Sequence, residues 1–258
     1  MKIKKIIFLG SKPIGYKCLE YLIVNSEILG IQVIGCLTSD EHRFGGIFSI
    51  KALASEHNIK IIGSLDELLL EEEIDIIISV QYHLIIKQKH IDKAKEIAVN
   101  LHMAPLPEYR GCNQFSFAIY QQAKEFGTTL HKMDSGIDSG DILFEKRFHI
   151  PDQCTVKRLY DLTYDASLTL FEEKIGNIIK GDYTPVSQKQ LVESRGTQLI
   201  FRKDIEQLKA IELSQDTINK VRATSMSILG FEPPFGMDGD KKIYLIYEDF
   251  YNQLLNKE

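Results

Sequence analysis

The stretch Asp75-Ile-Ile-Ile-Ser-Val80 decides the fold class. It is a short, almost continuous apolar run, and such runs mark strands covered on both faces, as in a parallel α/β sheet. A strand with one wet face would alternate apolar and polar residues instead. Upstream, Lys5-Ile-Ile-Phe-Leu9 is a second run of the same kind, stopped by Gly10. Residues 13–29 then carry Ile14, Cys18, Leu22 and Ile23 at helical spacing, behind a first-turn proline, Pro13. Gln32 to Leu37 predicts a strand, Phe48 to Ser55 a helix, Lys60 to Ile62 a short strand and Leu65 to Glu72 a helix.

Downstream of Val80 the pattern predicts a helix over Ile91 to Glu96 and a strand over Ile97 to His102. A loop with two prolines (103–112) leads to a helix from Gln114 to Lys124. Gly127 to Met133 and Ile142 to Ile150 read as strands around the turn Asp134-Ser-Gly-Ile-Asp-Ser-Gly140. Val156 to Lys180 is a long helix with Val156, Leu159, Thr163, Leu170 and Ile178 on one side and Gly181 as its stop. Beyond Tyr183 the period changes: short strands (Gln198 to Phe201, Lys241 to Tyr247), a helix near Thr217 to Ala223 and an Asp238-Gly239 turn. The expectation is an α/β protein: a Rossmann-like open, mostly parallel sheet with helices on both faces, plus a small C-terminal α+β appendage. The catalytic domain is expected over residues 1–185 and the small subdomain over 186–258.

Composition narrows the function classes. The 258 residues carry 31 Lys+Arg against 36 Asp+Glu, a net charge of -5, which argues against a protein built mainly to grip nucleic-acid phosphates. Four cysteines, Cys18, Cys36, Cys112 and Cys154, are too sparse for a disulfide scaffold and never form C-x-x-C. No apolar run approaches the roughly 18 residues of a membrane span, and a soluble, cytoplasmic protein is expected. The seven histidines include no H-E-x-x-H and no pairing with cysteine at zinc spacing, so no metal is expected. Gly10-Ser-Lys-Pro-Ile-Gly15 lies between a strand and a helix, where a phosphate loop would sit, yet it is neither G-x-G-x-x-G nor a P-loop. A tight strand-to-helix turn is its plainer reading, and Asp40, where a ribose-binding acid would fall, is one of many surface acids.

Chemistry concentrates after the strand ending at His102. Alternation puts Asn100 and His102 on one face at the carboxyl end of that strand, where ligands bind in open parallel sheets. Such a pair is often structural. Here it is followed by Pro105-Leu-Pro-Glu-Tyr-Arg-Gly111 and by His131-Lys-Met-Asp-Ser-Gly-Ile-Asp-Ser-Gly-Asp-Ile142, which offers Asp134, Asp138 and Asp141. A carboxylate there could orient an imidazole while the Asn amide donates to a developing oxyanion.

These motifs resemble those of the folate-dependent formyltransferases. Asn-x-His, the Leu-Pro-x-Tyr-Arg-Gly loop and the Met-Asp-x-Gly-Ile-Asp-x-Gly-Asp-Ile stretch occur in that order. The likeness is strongest to bacterial nucleotide-sugar N-formyltransferases, through Asn100 to Phe117 and through Ala223-Thr-Ser and Gly230-Phe-Glu-Pro-Pro234. The resemblance implies Asn100, His102 and Asp138 as the catalytic residues, with His131 structural or peripheral. It implies N10-formyltetrahydrofolate as co-substrate, with its pterin against Tyr82, His83 and Leu84. Where the family pattern often reads Gly-Leu-Ile-Leu-Pro, this chain has His83-Leu-Ile-Ile-Lys87, a change that backbone contacts survive.

It further implies transfer to the amine of a nucleotide-linked, dTDP-type 3- or 4-amino-dideoxyhexose for surface-polysaccharide synthesis, no nucleic-acid or membrane partner, and a homodimer. A nucleoside diphosphate needs cationic or backbone N–H partners, so Arg110 and Arg222 are expected substrate contacts, together with Tyr109 beside Arg110. A methionyl-tRNA formyltransferase-like enzyme and a non-catalytic Rossmann-like nucleotide binder stay open beside this reading.

Overall fold

Five strands run parallel: β1 (Lys4–Gly10), β2 (Ile31–Thr38), β3 (Lys60–Ile61), β4 (Ile76–Val80) and β5 (Ile97–His102). After a two-residue strand β6 (Arg110–Gly111), the strands β7 (Glu125–Lys132) and β8 (Ile142–His149) add to the β5 edge in antiparallel fashion. The sheet order is β3-β2-β1-β4-β5-β7-β8, so the chain changes direction of travel between the adjacent strands β1 and β4. A crevice opens beyond the carboxyl ends of strands at such a point. The computed structural model describes residues 2–39, 48–71, 73–209, 217–224 and 233–245. Asp40, Ser225, Gly230 to Glu232 and the end of the expected last strand lie outside the described residues.

The continuous apolar runs have the cause the sequence suggested: side chains of one strand feed two cores. Ile76, Ile78 and Val80 of β4 join Ile6 and Phe8 of β1 on one face, under α1 (Lys12–Val24), after which comes a short α2 (Ser26–Leu29), and under α3 (Ile50–Glu56). Ile77 joins Ile7, Leu9 and Ala98 on the other face, with Leu68 of α4 (Leu65–Leu68) and Ile91 of α5 (Gln88–Ile91). The helix expected over Ile91 to Glu96 is instead α5, three residues earlier. The N–H groups of Lys95 and Glu96 bond to the carbonyls of Ile74 and Asp75, which commits that segment to leading into β5.

Following α6 (Gln114–Tyr120), the 25-residue α7 (Val156–Lys180) lies on the first face and buries Leu170, Phe171, Ile175 and Ile178. Thr155 caps its start by accepting from the Arg158 N–H, and Gly181 ends it in the left-handed region. Truncating fully buried Phe171 to Ala would cost about 3–5 kcal/mol.

The tail is stitched to this body by specific bonds. Val186 bridges Ile142, and the following helix α8 (Gln188–Arg195) ends in a guanidinium fork, Arg195 on both oxygens of Glu145 at 2.9 and 2.9 Å. Strand β9 (Leu199–Ile200) pairs with β6. A 3-10 turn (Arg202–Ile205), α9 (Glu206–Lys209) and α10 (Thr217–Thr224) follow, then the hairpin β10 (Phe235–Asp238) and β11 (Lys241–Tyr244) around the expected Asp238-Gly239 turn.

Candidate active site

Three strand ends and one loop form one side of a cavity of about 650 Å³, which residues 111–116, the start of α7 and the tail also line. Ser11 and Lys12 follow β1, Gln81 to Ile86 follow β4, and Asn100 and His102 end β5. The loop between β7 and β8 contributes Asp134 and Gly136 to Asp138. The Gly10 to Gly15 stretch is the tight turn expected of it, with the Ser11 N–H on the Val80 carbonyl. Its Ser11 hydroxyl meets that of Ser39 at 3.0 Å on the cavity wall.

Asn100, His102 and Asp138 come together, and a fourth residue joins them. In the antiparallel register of β5 with β7, Asn100 stands opposite His131, so both side chains share the face that Asn100 and His102 share. His131 is therefore not peripheral. Its Nδ1 lies 2.7 Å from the Lys132 carbonyl, which only accepts, so that nitrogen carries the hydrogen. Nε2 is left to accept from the Asn100 amide at 3.2 Å, with an Asp138 oxygen 3.6 Å away. His102 follows the same logic. Its Nε2 donates to the Tyr109 carbonyl at 2.7 Å, which leaves Nδ1 facing Asp138 at 3.7 Å. The basic nitrogen of His102 is thus Nδ1, and a proton arriving there sits beside a carboxylate.

Asp138 is held on three sides. The Gly111 N–H donates to its carboxylate at 2.9 Å, the Arg110 guanidinium holds the preceding Ile137 carbonyl, and the Gln188 amide donates to the Asp138 and Gly140 carbonyls. These bonds keep Asp138 at φ +47°, a left-handed conformation costing on the order of 1–2 kcal/mol for a residue with a Cβ. Gly111 is required where it is: at φ +88° it lies so close to the Ile200 carbonyl that a Cβ would come within 2.3 Å. Burial pushes the Asp138 carboxyl up, but the His102 and His131 imidazoles and the Gly111 N–H outweigh it and hold the group well below the usual carboxylate range.

The other expected contacts divide. Tyr82, His83 and Leu84 all line the cavity, and Leu84 and Ile85 are 48% and 73% exposed, an apolar surface on a loop. Tyr109 does not present its ring there. It is 8% exposed and packed on Phe126 at 5.3 Å, so its carbonyl, not its side chain, serves the site. Arg110 acts on the Ile137 carbonyl and does not line the cavity. Arg222 spends Nε and a terminal nitrogen on the Cys154 carbonyl at 3.1 and 2.7 Å, which ties α10 to the start of α7. None of the three side chains lines the cavity as described, while Arg110 and Arg222 each keep N–H donors beyond these bonds, so their substrate role stands as an expectation. Sequence reading also passed over Gln188, Arg202 and Lys209. Their places depend on how the tail folds back, and no local pattern announces that. Among the described residues no group of three His, Cys, Asp or Glu could hold a metal ion, and no helix is long and apolar enough to cross a membrane.

Comparison with known proteins gives this geometry a context. The family described as Formyl transferase matches residues 47–175. A methionyl-tRNA formyltransferase of Lactobacillus gasseri is 30% identical over 233 residues, spanning 84% of this chain and 71% of that one. One of Clostridium novyi is 27% identical over 192 residues, and the chain spans 62% of its length. Among solved structures, WlaRD, a sugar 3N-formyl transferase in the presence of dTDP and 5-N-formyl-THF, superposes with a TM-score of 0.75 at 26% identity, covering 94% of this chain and 85% of that one. The N-formyltransferase from Helicobacter canadensis, in complex with folinic acid and dTDP-3-aminofucose, gives 0.74 at 24% identity over 93% and 86%.

Proposed function

We infer that this chain, which belongs to the formyl transferase family, moves a formyl group from N10-formyltetrahydrofolate to the amine of a nucleotide-linked amino sugar. The observation that carries the reading is the cluster of Asn100, His102, His131 and Asp138 on one cavity wall, held by hydrogen bonds to fixed backbone groups. Support for a sugar acceptor comes from the 26% identity to a sugar 3N-formyl transferase across 94% of the chain. The dTDP-type nucleotide, the 3- or 4-amino-dideoxyhexose, the surface-polysaccharide role, the homodimer and the cytoplasmic location belong to the same reading. So does the division into a catalytic part, 1–185, and a small subdomain, 186–258.

Two features of the cavity support a folate in this reading. Its volume lies within the roughly 300–1,000 Å³ of small-molecule sites, and Leu84 and Ile85 offer an apolar bed beside the polar rings of Tyr82 and His83. The folate supplies the formyl carbon. His102 Nδ1 accepts a proton from the attacking amine and returns one to the departing nitrogen, so the two transfers balance. The Tyr109 carbonyl orients the ring through Nε2, and the ionised Asp138 beside Nδ1 stabilises its protonated form. Asn100 spends one N–H on His131 and has a second for the oxygen that gains negative charge; a donor of this kind contributes about 2.7–4 kcal/mol to transition-state stabilisation.

The test is mass spectrometry of a small panel of nucleotide-linked amino sugars incubated with protein and formyl-folate. Gain of one formyl group by a panel member is the expected result. No gain on any member, with formyl-folate intact, would overturn the reading.

A further inference from the structure

The loop from Pro105 to Cys112 gives two backbone groups to the chemistry. The Tyr109 carbonyl takes the His102 Nε2 hydrogen at 2.7 Å, and the Gly111 N–H holds the Asp138 carboxylate at 2.9 Å. A backbone group goes where the chain carries it, so both depend on what holds the loop. Residues 195–200 run alongside as a strap. The Arg195 guanidinium reaches the Leu106 carbonyl at 3.4 Å, the Thr197 hydroxyl donates to the Pro107 carbonyl at 2.9 Å, and the Gln198 N–H donates to the Glu108 carbonyl at 3.2 Å. In return the Arg110 N–H donates to Gln198 at 3.0 Å and the Cys112 N–H to Ile200 at 2.8 Å.

Packing does not hold this strap, since Ile200 alone of its six residues is buried. Anchorage comes from charge instead. Arg195 sets two terminal nitrogens on the two oxygens of Glu145 in β8, and Arg147 adds its Nε to the same carboxylate at 3.1 Å. A terminal nitrogen of Arg147 then holds Glu108 at 2.7 Å. The chain of alternating charges, Arg195 to Glu145 to Arg147 to Glu108, thus starts on the strap, uses two residues of one face of β8 and ends on the catalytic loop. Its four side chains are 15–28% exposed, so the pairs are partly sheltered from water, where charge pairing is stronger than on an open surface.

We propose that Arg195 is a positioning residue for formyl transfer: seated on Glu145, it fixes the strap and, through it, the two backbone groups that orient His102 and hold Asp138. This rests on the reading that His102 Nδ1 takes the proton of the attacking amine. An imidazole with its hydrogen on Nε2 keeps a free lone pair on Nδ1, and the bond made by one nitrogen decides the state of the other. Once the loop slips from the strap, the Tyr109 carbonyl no longer fixes that choice. A hydrogen on Nδ1 would face Asp138 and cancel the base. Arg195 does not line the cavity, so it acts through the loop and not on substrate. A shift of about 1 Å at reacting groups, caused from such a distance, can cost about a hundredfold in rate.

The experiment combines steady-state kinetics, melting curves and imidazole NMR on the full chain and on Arg195→Gln, Arg195→Lys and Thr197→Val, with rates read well below the lowest melting temperature. Arg195→Gln should lower kcat at least about tenfold while KM for both substrates stays within about threefold. Arg195→Lys, which keeps the charge but not the fork, should recover part of that loss. Thr197→Val, which removes one bond of the strap and leaves the four charges in place, should lower kcat by roughly two- to fivefold. With isotope-labelled histidine above neutral pH, the His102 signals, identified by their loss in His102→Gln, should show hydrogen on Nε2 in the parent and both tautomers in Arg195→Gln. A parent-like kcat with only the melting temperature lowered, a loss confined to KM, or a lowered kcat with the parent tautomer intact would each overturn the proposal. Should Arg195→Gln not fold, a parent-like kcat and tautomer in both Arg195→Lys and Thr197→Val would do the same. The NMR needs no acceptor, so failure of the functional reading shows separately, as a parent that formylates no amino sugar nucleotide while its His102 tautomer still depends on Arg195.

Discussion

Asn100 donates to His131 and His102 donates to Tyr109, so two of the four clustered side chains are fixed before any substrate arrives. Replacing Asn100, His102 or Asp138 by Ala should each lower kcat by at least about a hundredfold, because each acts on the transition state. His131→Ala should cost about tenfold: it removes the partner that orients the Asn100 amide but not the donor itself. Steady-state kinetics with melting curves checks both, and a His131 variant as damaged as His102→Ala would move the proton-transfer role between the rings. Asn100 and His102 were legible in the sequence because period-two alternation at a strand end is a local property. His131 was not, since its place follows from the register of β5 against β7, strands about thirty residues apart in the chain. Asp138 stood out among three nearby acids through its resemblance to a family motif, and the structure adds why it is held: a backbone turned left-handed and bonded on both sides.

At the scale of elements, β5 and α7 occur where the sequence placed them, residue for residue, since each combines an unbroken pattern with a clear stop. The α5 region failed because Ile91 to Glu96 holds too few apolar positions to set a phase, and two N–H groups there pair with the segment before β4. Helix α8 carried no signal at all: only Gln188 of its residues is buried, and it is buried for the two carbonyls its amide serves. That helix nonetheless reaches the chemistry. Gln188→Leu should leave the Asp138 and Gly140 carbonyls without their donor, destabilise the fold by about 1–3 kcal/mol, and lower kcat with little change in KM for either substrate. Comparing kcat and KM separately checks this; a change confined to stability would make Gln188 a purely structural clasp.

For the molecule as a whole, the imidazoles and the Gly111 N–H gathered around Asp138 also link stability to pH. The Asp138 carboxyl is held below its unfolded value, so the unfolded chain binds the extra proton first as pH falls. Its contribution is fully present above about pH 4 and is lost as pH drops through the lower folded value. Asp138→Asn should flatten the acid side of the stability profile, measured by denaturant unfolding at stepped pH, and an unchanged slope would deny the carboxylate its favourable setting. Charge and cavity size bear on the choice between a sugar nucleotide and a tRNA as acceptor. A net charge of -5 gives little pull toward a polyanion, whereas a cavity of about 650 Å³ with two cations on its tail wall suits a small charged acceptor. The most direct measurement is a competition in one tube: limiting formyl-folate with a nucleotide-linked amino sugar and methionyl-tRNA present together, and the formyl group traced into each. The label should enter the sugar nucleotide at least a hundredfold faster per unit concentration; entry into the methionyl-tRNA instead would contradict the acceptor proposed for this chain.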